Sequence, residues 1–547
     1  MQQKKYLITT PLFGVSKQGQ NYCHLYTWLS DPIDNNDRSI DEWINQIEYC
    51  KVLSNKIKPK IFDFMNNIHK KKFSYSYWDI LLGSWINQFL IITIDRWSQL
   101  NSINNKDFTH VESPNYNYSE LADNTNEIFR RRIETDYWNS IFYGKILDFK
   151  QNFKVEYRDF KEKITVDENF FKFNFFKNRQ KNTFINTYLS RFDEILINLK
   201  LRQIPRFKNK FLVPPTFNYN GKMRFNKKFF IPENQLENFI LENLFLYMPR
   251  SYLEGFEELD KVIKKENLPE NPNNIYCGIF TNRSHILKYI AEKKENGTKV
   301  ICGDHGGGNQ ALSIIKDHIK KYSDTYLTWG KTDLKQNEKC VGYIKKKFKN
   351  KRPNNIVIFL YNHPKYILKP SVHEILLSKN YIQNISSLVD GFDSDIQKKI
   401  LFRLIGKDHW EQERLYKREF PKTYFDNAKI KISDIFNKAE LIISTYTSTT
   451  IIEGIFNNIP SCLFVDSSEI NKSIVYEKRK YYQLLHDVGI LQTDSNKCAK
   501  FLNDLLKTKT LGSWWKSKKT QDALNLFREN ICPENKNLVQ DITNLMK

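Results

Sequence analysis

From Ile275 onward the chain alternates short β-branched runs with helix-patterned stretches, and this alternation constrains its fold more than any other feature. Ile275–Phe280, Lys299–Cys302 and Thr325–Thr328 read as strands, with helices predicted over Ser284–Glu295 and from the glycine-rich turn after Cys302 to about Lys321. A polar, basic break, NKRPNN at Asn350–Asn355, is the best candidate hinge. A second series follows: strands at Ile356–Tyr361, Asn380–Ile385, Leu441–Ser444 and Ser461–Val465, with a helix at Asp395–Leu404. Strand–helix alternation in two blocks predicts an α/β protein with two doubly wound parallel sheets. A ligand then sits across the crevice at the carboxyl ends of the strands.

The first half is less regular. Leu7–Thr10 reads as a strand, Ile40–Leu100 as largely helical with a buried helix at Tyr77–Leu100, and Asn101–Asn126 as a polar surface loop. Glu127–Asp148 and Asn182–Leu201 carry helical patterns, and residues 151–230 have no clean period. At 547 residues the chain can hold two to four domains. The eight cysteines are scattered singly, with no C-x-x-C and no zinc spacing, which suits buried thiols in a reducing compartment. The N-terminus lacks the long apolar region of a signal peptide. Ile86–Ile94 is apolar but flanked by Asp79, Asn87, Gln88 and Asp95, too polar for a membrane span. A cytoplasmic location is expected.

The net charge of +23 is concentrated: residues 151–230 hold 18 Lys/Arg against 7 Asp/Glu, together with FFKFNFF at Phe170–Phe176. Attraction to an anionic membrane or glycolipid surface is one reading. Nucleic-acid binding is another, but no RNA- or DNA-binding signature accompanies it, and no nucleic-acid partner is expected. The plainest reading is compositional, because Lys, Asn and Ile are abundant throughout.

Two motifs carry candidate chemistry. In Ala439–Asp466 a strand, LIIST, leads through the hydroxyls of Thr447, Ser448, Thr449 and Thr450 into a helix, IIEGIFNN. Such a turn collects free N–H groups and the positive end of a helix dipole, a ready phosphate site. Glu453 is expected on the first turn of this helix, seven residues before Pro460. The alternative is an ordinary crossover with a Ser/Thr cap. In Val300–Gln310 a strand runs into Asp304-His305-Gly306-Gly307-Gly308 before a helix. Glycines let backbone amides approach a ligand and leave the histidine uncovered, which suits a general base or phosphate donor at His305. Asp304 could orient the ring or act as a separate carboxylate. Here the alternative is a glycine-rich turn with a structurally bonded histidine. His363 and Lys365, after the first strand of the second block, and Arg403, in KILFRLIG, are further candidate contacts for an anionic donor. No metal site is expected: D-x-D occurs only as Asp393-Ser394-Asp395 at a helix start, where capping is the simpler role.

The E-x6-P spacing from Glu453 to Pro460 resembles the nucleotide-sugar motif of GT-B glycosyltransferases. Together with YLITT, the run Tyr77–Trp85 (YWDILLGSW), Asp95-Arg96-Trp97, DHGGG, and Tyr326–Gly330 (YLTWG), the set resembles a bacterial family of transferases found with surface-polysaccharide and O-antigen biosynthesis genes. In the family pattern a glutamine precedes His-Gly-Gly, where Asp304 stands here; of an acidic-aromatic-cysteine cluster only Cys23 and Trp28 remain. The resemblance implies a GT-B-like fold, with residues 1–345 as a Rossmann-like acceptor domain bearing helical and basic insertions and 346–547 as the donor domain. It implies a metal-independent glycosyltransferase, without cofactor, that uses a nucleotide-activated sugar and a glycan or glycolipid acceptor. In that reading Thr447–Thr450, Gly306 and Gly307 hold the donor phosphate, Glu453 the ribose or sugar hydroxyls, and His305 with Asp304 faces the reacting centre. Enzymes that take Kdo from CMP have related architecture, and an acidic donor would suit the basic chain. The HGG turn also resembles that of CDP-glycerol glycerophosphotransferases. From a different class, the rival is a non-catalytic polyanion-binding protein that works through residues 151–230.

Overall fold

The structure, a computed structural model, describes residues 5–14, 22–24, 40–101, 108–116, 122–124, 133–151, 154–160, 180–205, 211–224, 229–278, 280, 283–307, 313–331, 334–345, 347–348, 353–362, 364–369, 379–406, 408, 411–467 and 469–547. Gly308, His363, FFKFNFF and the first half of NKRPNN lie outside these residues. Among the described residues three sheets are present, and every strand pairing is parallel.

The carboxyl-terminal half holds a six-stranded sheet ordered β12-β11-β10-β13-β14-β15. Its strands are β10 (Asn355–Phe359), β11 (Ile400–Arg403), β12 (Tyr424–Asp426), β13 (Ala439–Ser444), β14 (Ser461–Phe464) and β15 (Leu491–Gln492). Along β10, Ile356, Ile358 and Leu360 join one apolar core while Val357 and Phe359 join another. Alternate side chains thus enter separate cores, and both faces of the sheet are covered, as parallel sheets require. A five-stranded sheet, β5 (Asn182–Ile185), β6 (Asn274–Cys277), β7 (Lys299–Gly303), β8 (Thr325–Thr328) and β9 (Glu338–Cys340), is covered in the same way. Ile275 and Val300 face one core, Tyr276 and Ile301 the other. The expected α/β class with parallel sheets is what the chain forms.

A third sheet lies in the first half: β1 (Tyr6–Ile8), β2 (Tyr22–His24), β3 (His110–Pro114) and β4 (Lys154–Arg158), in the order β2-β1-β3-β4. β3 falls within the polar stretch read as a loop, because its short run HVESP gains its burial only from its neighbours. Three further readings are corrected. Asn182–Ile185 is a strand paired with β6, and helix begins only at Arg191. Lys379–Asp390 is a helix, since Ile382, Ile385, Leu388 and Val389 recur at helical spacing and are all buried. Ile400–Arg403 is a strand after a single helical turn at Ser394–Gln397.

The helix Tyr75–Asn101 is buried on all sides from Tyr77 to Arg96 except at Ser84, and forms the axis of the first half. The carboxyl terminus returns to the first half, where the Met546 carbonyl accepts from the Asn274 side chain at 2.9 Å and the Pro533 carbonyl from the Tyr343 N–H at 2.8 Å. Among the described residues no helix is long and apolar enough to cross a membrane.

Candidate functional site

β7 ends at Gly303 against Leu327, and the next residue turns toward the second half. The Asp304 N–H donates to the Leu327 carbonyl at 2.8 Å, while its carboxylate accepts from the Tyr326 hydroxyl (2.9 Å) and the Trp329 N–H (3.0 Å). Asp304 therefore braces the turn against β8 with both oxygens, rather than standing beside the histidine as a spare carboxylate. The YLTWG motif supplies that brace.

His305 is positioned differently. Its ring lies 5.0 Å from that of Tyr188, and its buried Nδ1 has no hydrogen-bond partner among the described residues. Burial pulls the imidazole below its ordinary value; the Asp304 charge opposes this, and Lys345 and Lys369 reinforce it. The ring is consequently neutral at neutral pH, with a lone pair able to accept a proton. Tyr188 was not legible as a site residue: it lies in the turn after β5, where Asn186 and Tyr188 both have left-handed backbone angles (φ 46° and 59°).

Gly306 and Gly307 admit the opposite half of the molecule itself. A Cβ on Gly306 would lie 2.8 Å from Thr449 Oγ1, and one on Gly307 would lie 2.6 Å from the Ser448 carbonyl oxygen. The Gly307 N–H donates to Thr449 Oγ1 at 2.8 Å. The two motifs singled out by sequence thus touch, although 142 residues separate these partners. The glycines were expected to clear space for a ligand; the space they leave is filled by the facing turn.

On that turn Ser448 caps the helix Thr449–Phe456, its hydroxyl accepting from the Thr450 N–H. The Ser448, Thr450 and Ser444 hydroxyls bond one another at 2.6–3.2 Å, and Thr447 is buried. The cap satisfies one first-turn N–H and leaves the positive end of the helix at the junction of the halves. Glu453 is the fifth residue of this helix, on its second turn rather than its first. It is buried and bonded to Lys345 Nζ at 2.7 Å, a partner contributed by the first half. Lys345 lies in a basic loop without a motif, so nothing in the sequence marked it.

The other candidates are not gathered here. Lys365 bonds Asp136 at 2.6 Å, as does the Tyr366 hydroxyl, and the adjacent Ile367 carbonyl accepts from Arg96. Lys365 thus belongs to a tie between the halves. Arg403 is buried and paired with Asp426 at the ends of β11 and β12, with Nη1 also donating to the Ile430 carbonyl at 2.9 Å. Its guanidinium fastens the loop after β12. Among the described residues no group of histidines, cysteines and carboxylates could hold a metal ion.

In parallel α/β proteins ligands sit at the carboxyl ends of the strands, and here the histidine turn after β7 meets the hydroxyl-capped helix after β13. The sequence profile of the LIC12162 family transferases matches residues 30–546, and the chain belongs to that family. No curated protein gives a significant match. Among solved structures it is distantly similar to MurG of Acinetobacter baumannii, at 11% identity over 68% of this chain and 99% of that one (TM-score 0.33). It is similarly distant from the wall teichoic acid polymerase TagF, at 9% identity over 87% of this chain and 98% of that one (TM-score 0.33). WaaG, a glycosyltransferase involved in lipopolysaccharide biosynthesis, matches at 9% identity over 67% and 99% (TM-score 0.31).

Proposed function

We propose that this transferase is a GT-B-like glycosyltransferase that moves a sugar from a nucleotide donor to a cell-surface glycan or glycolipid acceptor in polysaccharide or O-antigen biosynthesis. The observation that carries the reading is the buried, neutral His305 ring with an unfilled nitrogen, set where the two halves meet beside the start of the helix Thr449–Phe456. In the proposed reaction the acceptor hydroxyl gives its proton to His305 as its oxygen bonds the anomeric carbon. The bond from that carbon to the donor phosphate breaks, and the electron pair leaves on the phosphate, which the helix dipole and first-turn N–H groups stabilise. Glu453 holds donor hydroxyls.

An acidic sugar carried on CMP, such as Kdo, is the favoured donor. Its support is the positive charge around the turn: Lys345 and Lys369 act electrostatically on His305, and Lys316 and Lys478 interact with the charge of Asp304. These lysines come from both halves of the chain. Peripheral contact with an anionic membrane on the cytoplasmic side belongs to the same proposal. On the helix Arg191–Lys200, Phe192 (62% exposed) and Leu199 (58%) are a heptad apart and so share a face, with Arg191, Lys200 and Arg202 exposed nearby.

A thermal-shift panel of CMP, CDP, UDP, GDP and dTDP tests the donor class, because specific binding raises apparent stability. Stabilisation by CMP favours the acidic-sugar donor; a response to CDP alone, with glycerol phosphate transfer, would select the glycerophosphotransferase instead. Calorimetry with the winning nucleotide should show Glu453→Gln weakening affinity by about 10- to 150-fold, the worth of a charged hydrogen bond. Unchanged affinity would remove the donor from this helix. Polyanion binding that depended on residues 151–230 and survived loss of both His305 and Glu453 would favour the non-catalytic alternative.

A further inference from the structure

Behind the Lys345–Glu453 pair, a cavity of about 460 Å³ opens between the helix Arg191–Lys200, Tyr343–Lys345, Phe456 and the turn at residues 534–540. We infer that it binds a phosphate monoester of a small polyol, of the sugar phosphate class. Three features specify that chemistry. Four lysines line it, Lys200, Lys345, Lys347 and Lys536, against two carboxylates, Asp193 and Glu534. Asp193 already accepts from the Ser190 hydroxyl (2.5 Å) and Glu534 from Lys347 (2.6 Å), whereas Lys536 has no ion pair among the described residues. With Glu453 held on Lys345 the lining keeps one positive charge in surplus, and two once Lys345 turns to the ligand, which matches a phosphate monoester carrying close to two negative charges at neutral pH.

The second feature is the apolar wall. The Tyr343 and Phe456 rings lie 4.1 Å apart at 33°. Such a surface suits the C–H face of a polyol, and the Asn537 amide at the rim suits its hydroxyls. The third is size: the volume lies in the range of small-ligand pockets, roughly 300–1,000 Å³, and is larger than a bare phosphate needs.

Lys345 connects this cavity to the site already described. It lines the cavity and holds the Glu453 carboxylate, so a phosphate drawing on Lys345 competes with Glu453. The cavity site stands on its own lining; only the consequence for donor binding rests on the proposed function. Occupation would release Glu453 toward donor hydroxyls.

Calorimetric titration of the full chain with glucose 1-phosphate, inorganic phosphate and glucose tests the site. Saturable binding of glucose 1-phosphate, tighter than either fragment, is expected. Inorganic phosphate binding as tightly as the sugar phosphate, or no saturable binding at all, would overturn it. Replacing both rim lysines, Lys347→Ala with Lys536→Ala, should weaken glucose 1-phosphate about tenfold or more and leave nucleotide affinity as it was. Equal affinity in that variant would move the ligand elsewhere. Glu453→Gln should act in opposite directions, weakening the nucleotide and tightening glucose 1-phosphate by freeing Lys345. If the nucleotide is unaffected while the sugar phosphate tightens, the donor assignment fails and the cavity site stands. If glucose 1-phosphate weakens instead, the shared lysine is wrong.

Discussion

The helix Tyr75–Asn101 and the turn after β7 both place ionisable residues in buried surroundings, yet they treat them in opposite ways. On the helix, Asp79 meets Lys58 at 3.0 Å and the hydroxyl of Tyr322, while Arg96 meets Asp95 at 2.7 Å and the Asn139 side chain. Burial alone would raise the Asp79 carboxyl; His318 and Lys58 beside it hold it below the ordinary carboxylate range. Each of these charges is compensated within the fold, and Arg96 also holds the Ile367 carbonyl of the second half. At the turn, Asp304 is satisfied but His305 keeps a buried nitrogen without a partner. The contrast separates two uses of a buried polar residue. On the helix opposite charges cancel and tie neighbouring elements together, although His318 Nε2 there is also buried without a partner among the described residues. What sets His305 apart is that it faces no opposite charge of its own beyond Asp304 and stands where the two halves meet.

The largest effect is expected on the helix. Asp79→Ala strands the Lys58 charge in a buried site, and chemical denaturation should show a loss of about 3–5 kcal/mol. A loss below about 1 kcal/mol would mean that this network is not closed in solution.

His318, in the same network, is pushed down to about 4 by burial, with Asp79 opposing and Lys58 and Lys321 reinforcing. Its folded value lies below the unfolded one of 6.5, so between these limits only the unfolded chain takes up the proton. Stability therefore falls as pH falls from 6.5 toward about 4, by up to about 3 kcal/mol. In His318→Gln the slope of stability against pH across that window should flatten; an unaltered slope would place the titration elsewhere.

At the turn the readout is turnover. His305→Ala should lower it by about 10²-fold or more with the fold unchanged, since the ring closes no network. Because burial depresses this imidazole, the acid limb of kcat/KM should lie below the ordinary histidine value of 6.5. Normal turnover in the variant would reduce the turn to the same structural class as the helix.

The smallest effect lies on the exposed helix Arg191–Lys200. Neutralising Arg191 and Arg202 should weaken binding to anionic vesicles by roughly 1 kcal/mol per residue, in a salt-dependent way. Turnover on a short soluble acceptor should persist. No co-sedimentation of the unmodified protein at low salt would leave the basic window as composition alone.

Much of the fold was legible because local pattern and burial agree in it. Ser284–Glu295 and Thr325–Thr328 have the bounds their sequences suggest, since each carries its own period and stop signals. The misread segments are those where neighbours decide. Asn182–Ile185 becomes a strand because β6 offers it an edge, and β3 is buried only between β1 and β4. In Lys379–Asp390 the helical period spans twelve residues, and a shorter window sees only an apolar cluster.

For the site, the sequence by itself determined which residues could do chemistry: a histidine freed by glycines, a hydroxyl turn opening a helix, and a carboxylate further along it. Those are local properties, set by backbone freedom and side-chain type over a few residues. Only the tertiary structure decided that Gly307 meets Thr449, that Lys345 reaches Glu453, and that Lys365 and Arg403 are spent on Asp136 and Asp426. A side chain's valences are filled by whatever the fold brings within about 3 Å, and that reach crosses more than a hundred residues of chain. Sequence can name the groups that carry a bond; packing alone settles which bonds are left open.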